Sequence, residues 1–152
     1  MEVIDSFNFL IGTWVFERSI TDHLTGNQSS CVGIASLTET KSEISDGTLR
    51  HGDYNENGEL RLGDQVVPTR RRLNYSVQNN WSVNLFFLDG RFFTDLDLRT
   101  GSWRAIHQCS EDYYQITTTV TSDNEIHEHW QAMGPRKNFV AVTTLWRQNK
   151  CD

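Results

Sequence analysis

The sequence has 152 residues, enough for a single domain with a sizeable buried core, and a formal net charge of −6. The acidic balance disfavours nucleic acid and anionic membranes as partners, because both select basic surfaces. No apolar run approaches the roughly 18 residues that cross a bilayer, and the acidic N-terminus MEVIDSFNFLIGTW lacks the basic start of a signal peptide. We therefore expect one domain over residues 1–152.

Short strands separated by turn signals follow one another along the chain. Asp5 is a candidate N-cap for a short helical turn over Asp5–Ile11. Turn signals divide the rest, among them TGN (Thr25–Asn27), SDG (45–47), NENG (Asn55–Gly58) and DG (Asp89–Gly90). Helical periodicity is nearly absent. This pattern predicts an all-β fold, an antiparallel barrel or sandwich.

Successive side chains on a strand point to opposite faces, so each segment has a predicted inner series. The inner residues are Trp14, Phe16, Arg18 and Ile20; Arg71, Leu73, Tyr75 and Val77; Trp81, Val83, Leu85 and Phe87; Phe92, Thr94, Leu96 and Leu98; Trp103, Ala105, His107 and Cys109; Asp112, Tyr114, Ile116, Thr118 and Val120; Ile126, Glu128, Trp130 and Ala132. His127 and His129 fall on the outer face. The last segment, FVAVTTLWR, is apolar on both faces, so its inner face stays open, and a partner subunit is one candidate cover for its outer side.

The predicted interior is unusually polar for a small barrel. Arg18, Arg71, His107 and Glu128 all fall on it, where a filled core would carry aliphatic residues. Buried charges are costly unless they are paired or hydrated. The set therefore indicates either a compensated network or a cavity, and we favour the cavity because barrels of about eight to ten strands have room for one small ligand.

Cysteine and histidine positions bear on metal and thiol chemistry. His107, Cys109 and Asp112 could supply metal ligands, but the sequence has neither CxxC nor HExxH, so we predict no metal and no cofactor. A Cys109–His107 nucleophile is disfavoured because residues two apart on a strand lie about 7 Å from each other. With Cys31 and Cys151 the cysteines number three, which favours free thiols and a cytoplasmic location.

General acid–base catalysis is the alternative use of the same interior. His107 could serve as the acid or base, oriented by Asp112 or Glu128. Tyr75 or Tyr114 could donate to a developing oxyanion while Arg18 or Arg71 holds a carboxylate or enolate. That combination suits an isomerase, a cyclase or a lyase. The competing interpretation is that each group belongs to a satisfied core network.

Several motifs resemble those of known barrels. Gly12-Thr13-Trp14 at the first strand, with Arg147 on the last, resembles the signature of lipocalin-like (calycin) barrels, in which the Trp closes one end and the Arg stacks over it. The wider order resembles a family of calycin-like proteins of unknown function, found widely in bacteria and in some fungi: FLIGTW (Phe9–Trp14), RRRL (Arg70–Leu73), DGRFF (Asp89–Phe93), LDL (Leu96–Leu98), HxCxxDxY (His107–Tyr114) and WxxxGPRK (Trp130–Lys137).

The resemblance implies a closed, up-and-down antiparallel barrel of about eight to ten strands, and it implies no established activity. The family often has a His after its Gly-Arg-x-Phe segment, where this sequence has Thr94. A catalytic base at that position is therefore not expected here.

These observations lead to one expected function with two alternatives. We expect the barrel to bind a small hydrophobic or aromatic, possibly anionic, molecule. The expected binding residues are Trp14, Phe16, Arg18, Arg71, Tyr75, Phe87, Phe92, Thr94, His107, Tyr114, Glu128 and Trp130. The first alternative is an enzyme that uses His107, Tyr114, Asp112 and Arg71. The second is a scaffold with a filled barrel that forms a homodimer through the last strand.

Overall fold

The computed structural model describes residues 1–41 and 50–148, and both the SDG signal at 45–47 and Cys151 lie outside this part. A short helix, α1 (Ser6–Leu10), precedes the strands. The strands are β1 (Gly12–Asp22), β2 (Gln28–Thr40), β3 (Arg50–Leu62), β4 (Gln65–Val77), β5 (Val83–Phe86), β6 (Phe92–Leu96), β7 (Ser102–Cys109), β8 (Asp112–Ser122), β9 (Glu125–Gly134) and β10 (Lys137–Arg147). The all-β prediction is confirmed.

All ten strands form one antiparallel sheet in the order β6-β5-β4-β3-β2-β1-β10-β9-β8-β7. Side chains bridge the remaining seam between β6 and β7. The Nδ1–H of His107 donates to the carbonyl oxygen of Phe93 over 2.8 Å, and the indole N–H of Trp103 donates to Asp95 Oδ1 over 3.2 Å. The sheet therefore curls into a nearly closed barrel, and these side chains cover the gap between its two edge strands, β6 and β7.

Helix α1 lies against the end of the barrel where β1 begins. Asp5 caps it by accepting a hydrogen bond from the backbone N–H of Asn8 over 3.1 Å, as predicted. Phe7 is fully buried beneath it. The Phe7 ring packs so closely on Gly52 of β3 that a Cβ there would lie 2.9 Å from the ring. The helix thus closes this end with a large aromatic side chain.

Arg147 fastens the helix to the barrel. Its guanidinium lies 4.3 Å from the ring centroid of Trp14. It also donates to the carbonyl oxygens of Phe9, over 2.9 Å, and Ile11, over 3.3 Å. These carbonyls lie at the C-terminal end of α1 and would otherwise lack partners. This is the Trp–Arg arrangement that the lipocalin-like signature implied.

Alternation predicts the inner faces of β1, β4, β8 and β9 correctly. The inner face of the last strand, β10, is evident only from the structure. Ala141, Thr143 and Leu145 are buried, whereas Val142 and Trp146 are 47% and 37% exposed. His127 and His129 lie on the outer face, as predicted. In the part of the chain that the structure describes, no helix is long and apolar enough to cross a membrane.

One predicted turn and two predicted inner residues differ from the structure. The NENG segment is no turn, because β3 runs straight through it. Gly58 faces inward there, and a Cβ on it would lie 3.1 Å from the Phe16 ring, so this glycine provides close packing instead of a bend. Trp81 is 48% exposed, not internal, and Cys109 at the end of β7 is also exposed.

A bulge between β5 and β6 changes the predicted inner series of β6. Leu85 pairs with Thr94 and Phe86 pairs with Phe92, so Phe93 is an extra residue in the ladder. Phe93 is consequently buried, whereas Phe92 is 52% exposed and meets Phe86 on the outer face with ring centroids 5.8 Å apart. The prediction that Phe92 faces the interior is therefore wrong, and Phe93 takes its place.

The contacts of Arg147 predict a measurable contribution to stability. Arg147→Met keeps the length of the side chain but removes the cation–π contacts with Phe9 and Trp14. It also removes the hydrogen bonds to the carbonyl oxygens of Phe9, Ile11 and Asp123. We expect a loss of about 2 kcal/mol in the free energy of unfolding. Urea denaturation at neutral pH measures it. Arg104→Met, at an exposed position of β7, is the matched control and should change stability little; an equal loss in both variants would contradict the fastening role.

Candidate functional site

The barrel contains an internal cavity to which all ten strands contribute. Its volume is about 70 Å³, measured as the space that the centre of a water molecule can occupy. One water molecule needs about 10–15 Å³ of such space, so the cavity can hold several waters or a small ring system. The walls are mainly aliphatic and aromatic, with a few polar side chains: Arg71, Tyr75, Thr94, Asp95, Thr118 and Glu128. Leu10 of α1 contributes at the closed end.

Glu56 lies at the centre of a charged cluster beside this cavity. Its carboxylate is 5% exposed and accepts hydrogen bonds from Arg18 Nη1 over 2.7 Å, Arg71 Nη2 over 3.1 Å and the Tyr54 hydroxyl over 2.7 Å. Burial alone would raise the pKa of this carboxyl. Attraction to Arg71 and the hydrogen bonds from Arg18 and Tyr54 more than offset it, lowering the pKa of Glu56 to about 2. The carboxylate therefore stays ionised.

A second row of polar groups crosses β1, β10 and β9. In the ladder, Arg18 pairs with Thr143 and Thr143 pairs with Glu128. Arg18 Nε donates to the Thr143 hydroxyl over 2.8 Å. The indole N–H of Trp130 donates to Glu128 Oε1. The row places the carboxylate of Glu128 next to both arginines of the cluster.

Arg71 is the charged group that faces the cavity most directly. Its guanidinium lies between two aromatic rings, 5.0 Å from the centroid of Trp130 and 5.8 Å from that of Tyr54. Burial by itself would lower the pKa of Arg71, but attraction to Glu56 and to the other acidic groups nearby raises it. The side chain is 32% exposed although it lies inside the barrel, because it lines the cavity.

Two tyrosines extend this stack along the wall. The Tyr54 and Tyr75 rings lie parallel, 5.3 Å apart. Burial raises the pKa of both hydroxyls above the ordinary range, and neighbouring Glu56 adds to the effect. Both hydroxyls therefore remain protonated near neutral pH, and that of Tyr54 donates to Glu56.

Three of the four predicted catalytic residues lie at the opposite end from α1. The rings of His107 and Tyr114 are 5.9 Å apart. Lys137 contacts both Tyr114 and Asp112. Its Nζ donates to the Tyr114 hydroxyl over 2.7 Å and lies 3.5 Å from Asp112 Oδ2. Arg71 lies on the other side of Trp130, with its guanidinium 5.0 Å from that ring, and the Trp130 ring is 6.4 Å from that of Tyr114. The structure thus gathers His107, Tyr114 and Asp112 and leaves Arg71 with Glu56.

The residues predicted to bind ligand divide into two sets. Those on the cavity wall are Trp14, Arg71, Tyr75, Thr94, Glu128 and Trp130. Those that do not line it are Phe16, Arg18, Phe87, Phe92, His107 and Tyr114. Phe16 is fully buried in the core, and Arg18 is engaged with Glu56 and Thr143.

Sequence reasoning missed Tyr54 and Glu56. The sequence NENG predicts a turn, so no inner series is assigned to it. A signal is present, because every second residue of β3 in this region forms an inner series: Gly52, Tyr54, Glu56, Gly58 and Leu60. Within residues 1–41 and 50–148, no three His, Cys, Asp or Glu side chains are grouped to hold a metal ion.

The fold and the site define a class of protein, the antiparallel ten-stranded barrels with an internal cavity. The cavity wall here is mainly apolar and aromatic and carries a few polar groups. The chain belongs to a family of unknown function, DUF6314, whose model matches residues 10–147. No curated protein matches the sequence. These findings agree with the resemblance to an uncharacterised family of barrels.

Three solved structures are similar to this chain, and the first of them supports the fold. The S-type phycobiliprotein lyase from Guillardia theta is similar with a TM-score of 0.77 at 9% identity, over 99% of this chain and 95% of that chain. A de novo designed fluorescence-activating β-barrel aligns with a TM-score of 0.49 at 13% identity, over 96% and 100% of the two chains. A redesigned β-barrel bound to DFHBI aligns with a TM-score of 0.46 at 14% identity, over 91% and 99%.

The shared carboxylate of Glu56 predicts a large effect of its removal. Glu56→Gln would leave Arg18 and Arg71 buried without their anionic partner, so we expect the free energy of unfolding to fall by about 3–5 kcal/mol. Urea denaturation at pH 7 measures the loss. Glu59→Gln, exposed on the same strand, should be nearly neutral; a loss below about 1 kcal/mol in Glu56→Gln would show that the cluster is not stabilised by this charge.

The pKa of Glu56 also predicts an acid-dependent stability. The folded pKa of about 2 lies below the ordinary value of 4.5, so the ionised carboxylate stabilises the folded state above pH 4.5. That contribution, about 3 kcal/mol, should disappear as the pH falls from 4.5 towards 2. The stability difference between the wild type and Glu56→Gln, measured across this range, should shrink accordingly, and a constant difference would contradict the assignment.

Proposed function

We propose that this protein binds a small, mainly apolar or aromatic molecule in the central cavity of its barrel. One observation carries the proposal: an apolar cavity wall that holds polar groups without protein partners. The hydroxyls of Tyr75, Thr94 and Thr118 line the cavity, and none has a hydrogen-bond partner among the residues that the structure describes. Buried polar groups nearly always find a partner, so these groups are available to water or to a ligand.

The chemistry of the wall suits an aromatic occupant. Trp130, Tyr75, Phe93 and Trp103 present rings to the cavity, and Leu73 and Ile116 supply aliphatic surface. Small-molecule sites are typically of this kind, mostly apolar with a few placed polar groups that orient the ligand. A core built only for stability would have little use for Arg71 and Glu128 at its centre.

The fold does not select the ligand. Barrels of one architecture carry many functions, so likeness to the phycobiliprotein lyase supports the barrel and leaves the bound molecule to be argued from the site. His107 has a structural bond across the seam, which accounts for its position without any chemistry. Binding is therefore the proposal that the cavity supports best.

A co-purifying molecule is the expected outcome of the first experiment. Native mass spectrometry of the protein from its own cells, compared with the denatured sample, should reveal one small molecule bound per chain. An apolar fluorescent dye should compete for the same site. A protein that carries nothing and takes up no dye would refute the proposal.

A variant that fills the cavity provides the structural control. Ala105 lines the cavity and is 5% exposed, so Ala105→Leu should occupy ligand space and weaken dye binding by about tenfold. Gln108→Leu, on the exposed face of the same strand, should leave the affinity unchanged. Equal affinities for both variants would place the dye outside the barrel.

A further inference from the structure

The charges around the cavity show no positive excess without a ligand. Arg18 and Arg71 contribute two positive formal charges, and Glu56 and Glu128 contribute two negative ones. Glu56 is hydrogen-bonded to both arginines. Glu128, in the row of polar groups across β1, β10 and β9, attracts both arginines electrostatically. Asp95 adds a further carboxylate to the wall. An anionic ligand would therefore enter a site that has no surplus positive charge, and its desolvation would go uncompensated.

The same residues retain hydrogen-bonding capacity of both kinds. Among the residues that the structure describes, Arg71 uses only Nη2 as a donor, and its buried Nε has no partner. The Tyr75 hydroxyl is also unused. Glu128 accepts at Oε1 from Trp130, and within residues 1–41 and 50–148 its other oxygen has no donor. The wall thus offers donors on β4 and an acceptor on β9.

The aromatic groups beside these atoms favour a flat occupant. Trp130 and Phe93 face one another with ring centroids 5.8 Å apart and a tilt of 36°, and both line the cavity. The Trp130 ring also carries the guanidinium of Arg71. A planar molecule that stacks against the Trp130 and Phe93 rings would bring its edge close to Arg71 and Glu128.

We infer that the ligand is an uncharged, planar aromatic molecule that presents a hydrogen-bond acceptor to Arg71 and Tyr75 and an N–H or O–H donor to Glu128. A carboxamide or cyclic amide on a ring has this pattern, whereas a carboxylate has acceptors alone. The inference rests on the proposed function. It revises the expectation of an anionic ligand, because the fourth charge, Glu56, becomes evident only in the structure.

Matched probes test this inference directly. Benzamide and benzoate differ chiefly in charge and donor capacity, as do the two-ring pair 2-naphthamide and 2-naphthoate. By isothermal titration calorimetry at pH 7, the wild type should bind each amide about tenfold or more tightly than the corresponding acid. The indole N–H resonance of Trp130, assigned with Trp130→Phe, should shift on amide binding and locate the probe.

A charge change at one position should alter this preference. Glu128→Gln keeps the side-chain size and an oxygen for Trp130 but removes one negative charge from the cavity wall. The ratio of amide to acid affinity should then fall by about tenfold. Glu17→Gln, the same change at an exposed position of β1, should leave the ratio as in the wild type.

The outcomes separate the inference from the proposed function. Binding of the acids as tightly as the amides, with the apolar dye also bound, would overturn the inference and leave the cavity function standing. A ratio unchanged in folded Glu128→Gln would likewise overturn it. If neither probes nor dye bind the wild type, the proposed function itself fails.

Discussion

The structure depends on one buried carboxylate with three donors. Glu56 of β3 joins Arg18 of β1, Arg71 of β4 and its own strand neighbour Tyr54. Removing Glu56 leaves both arginines in a low-dielectric interior without their anionic partner, and that is a severe cost even where an apolar replacement of the whole cluster would be tolerated. The cluster therefore specifies where Arg71 lies, and Arg71 in turn orders the rings of Tyr54 and Trp130 around the cavity.

The two ends and the seam of the barrel are closed by different means. Helix α1 and Arg147 cover one end with aromatic packing and hydrogen bonds to exposed carbonyls. His107 and Trp103 close the seam with side-chain bonds to β6. The opposite end carries Tyr114 and Asp112, which Lys137 joins by a hydrogen bond and an ion pair. Closure without a continuous backbone ladder leaves the seam as the part of the wall most open to adjustment.

Alternation alone predicted much of the interior. The inner series of β4, β8 and β9 followed from residue types two apart, and they supplied Arg71, Tyr75, Thr118, Glu128 and Trp130, five of the polar or aromatic residues on the cavity wall. Alternation failed at two places, where a glycine resembled a turn signal and where a bulge shifted the inner series. Gly58 suggested a turn but serves close packing against Phe16, which hid Glu56; one extra residue in β6 exchanged Phe92 for Phe93.

The sequence by itself determined the all-β class, the antiparallel barrel, the N-cap at Asp5 and the Trp14–Arg147 closure, since each depends on residue patterns that the backbone period or a motif makes visible. Only the tertiary structure decided which charges meet. Arg18 and Glu56 are 38 residues apart, and nothing in either local segment specifies the register and shear that bring them within 2.7 Å. The charge balance of the cavity is for that reason a property of the folded barrel.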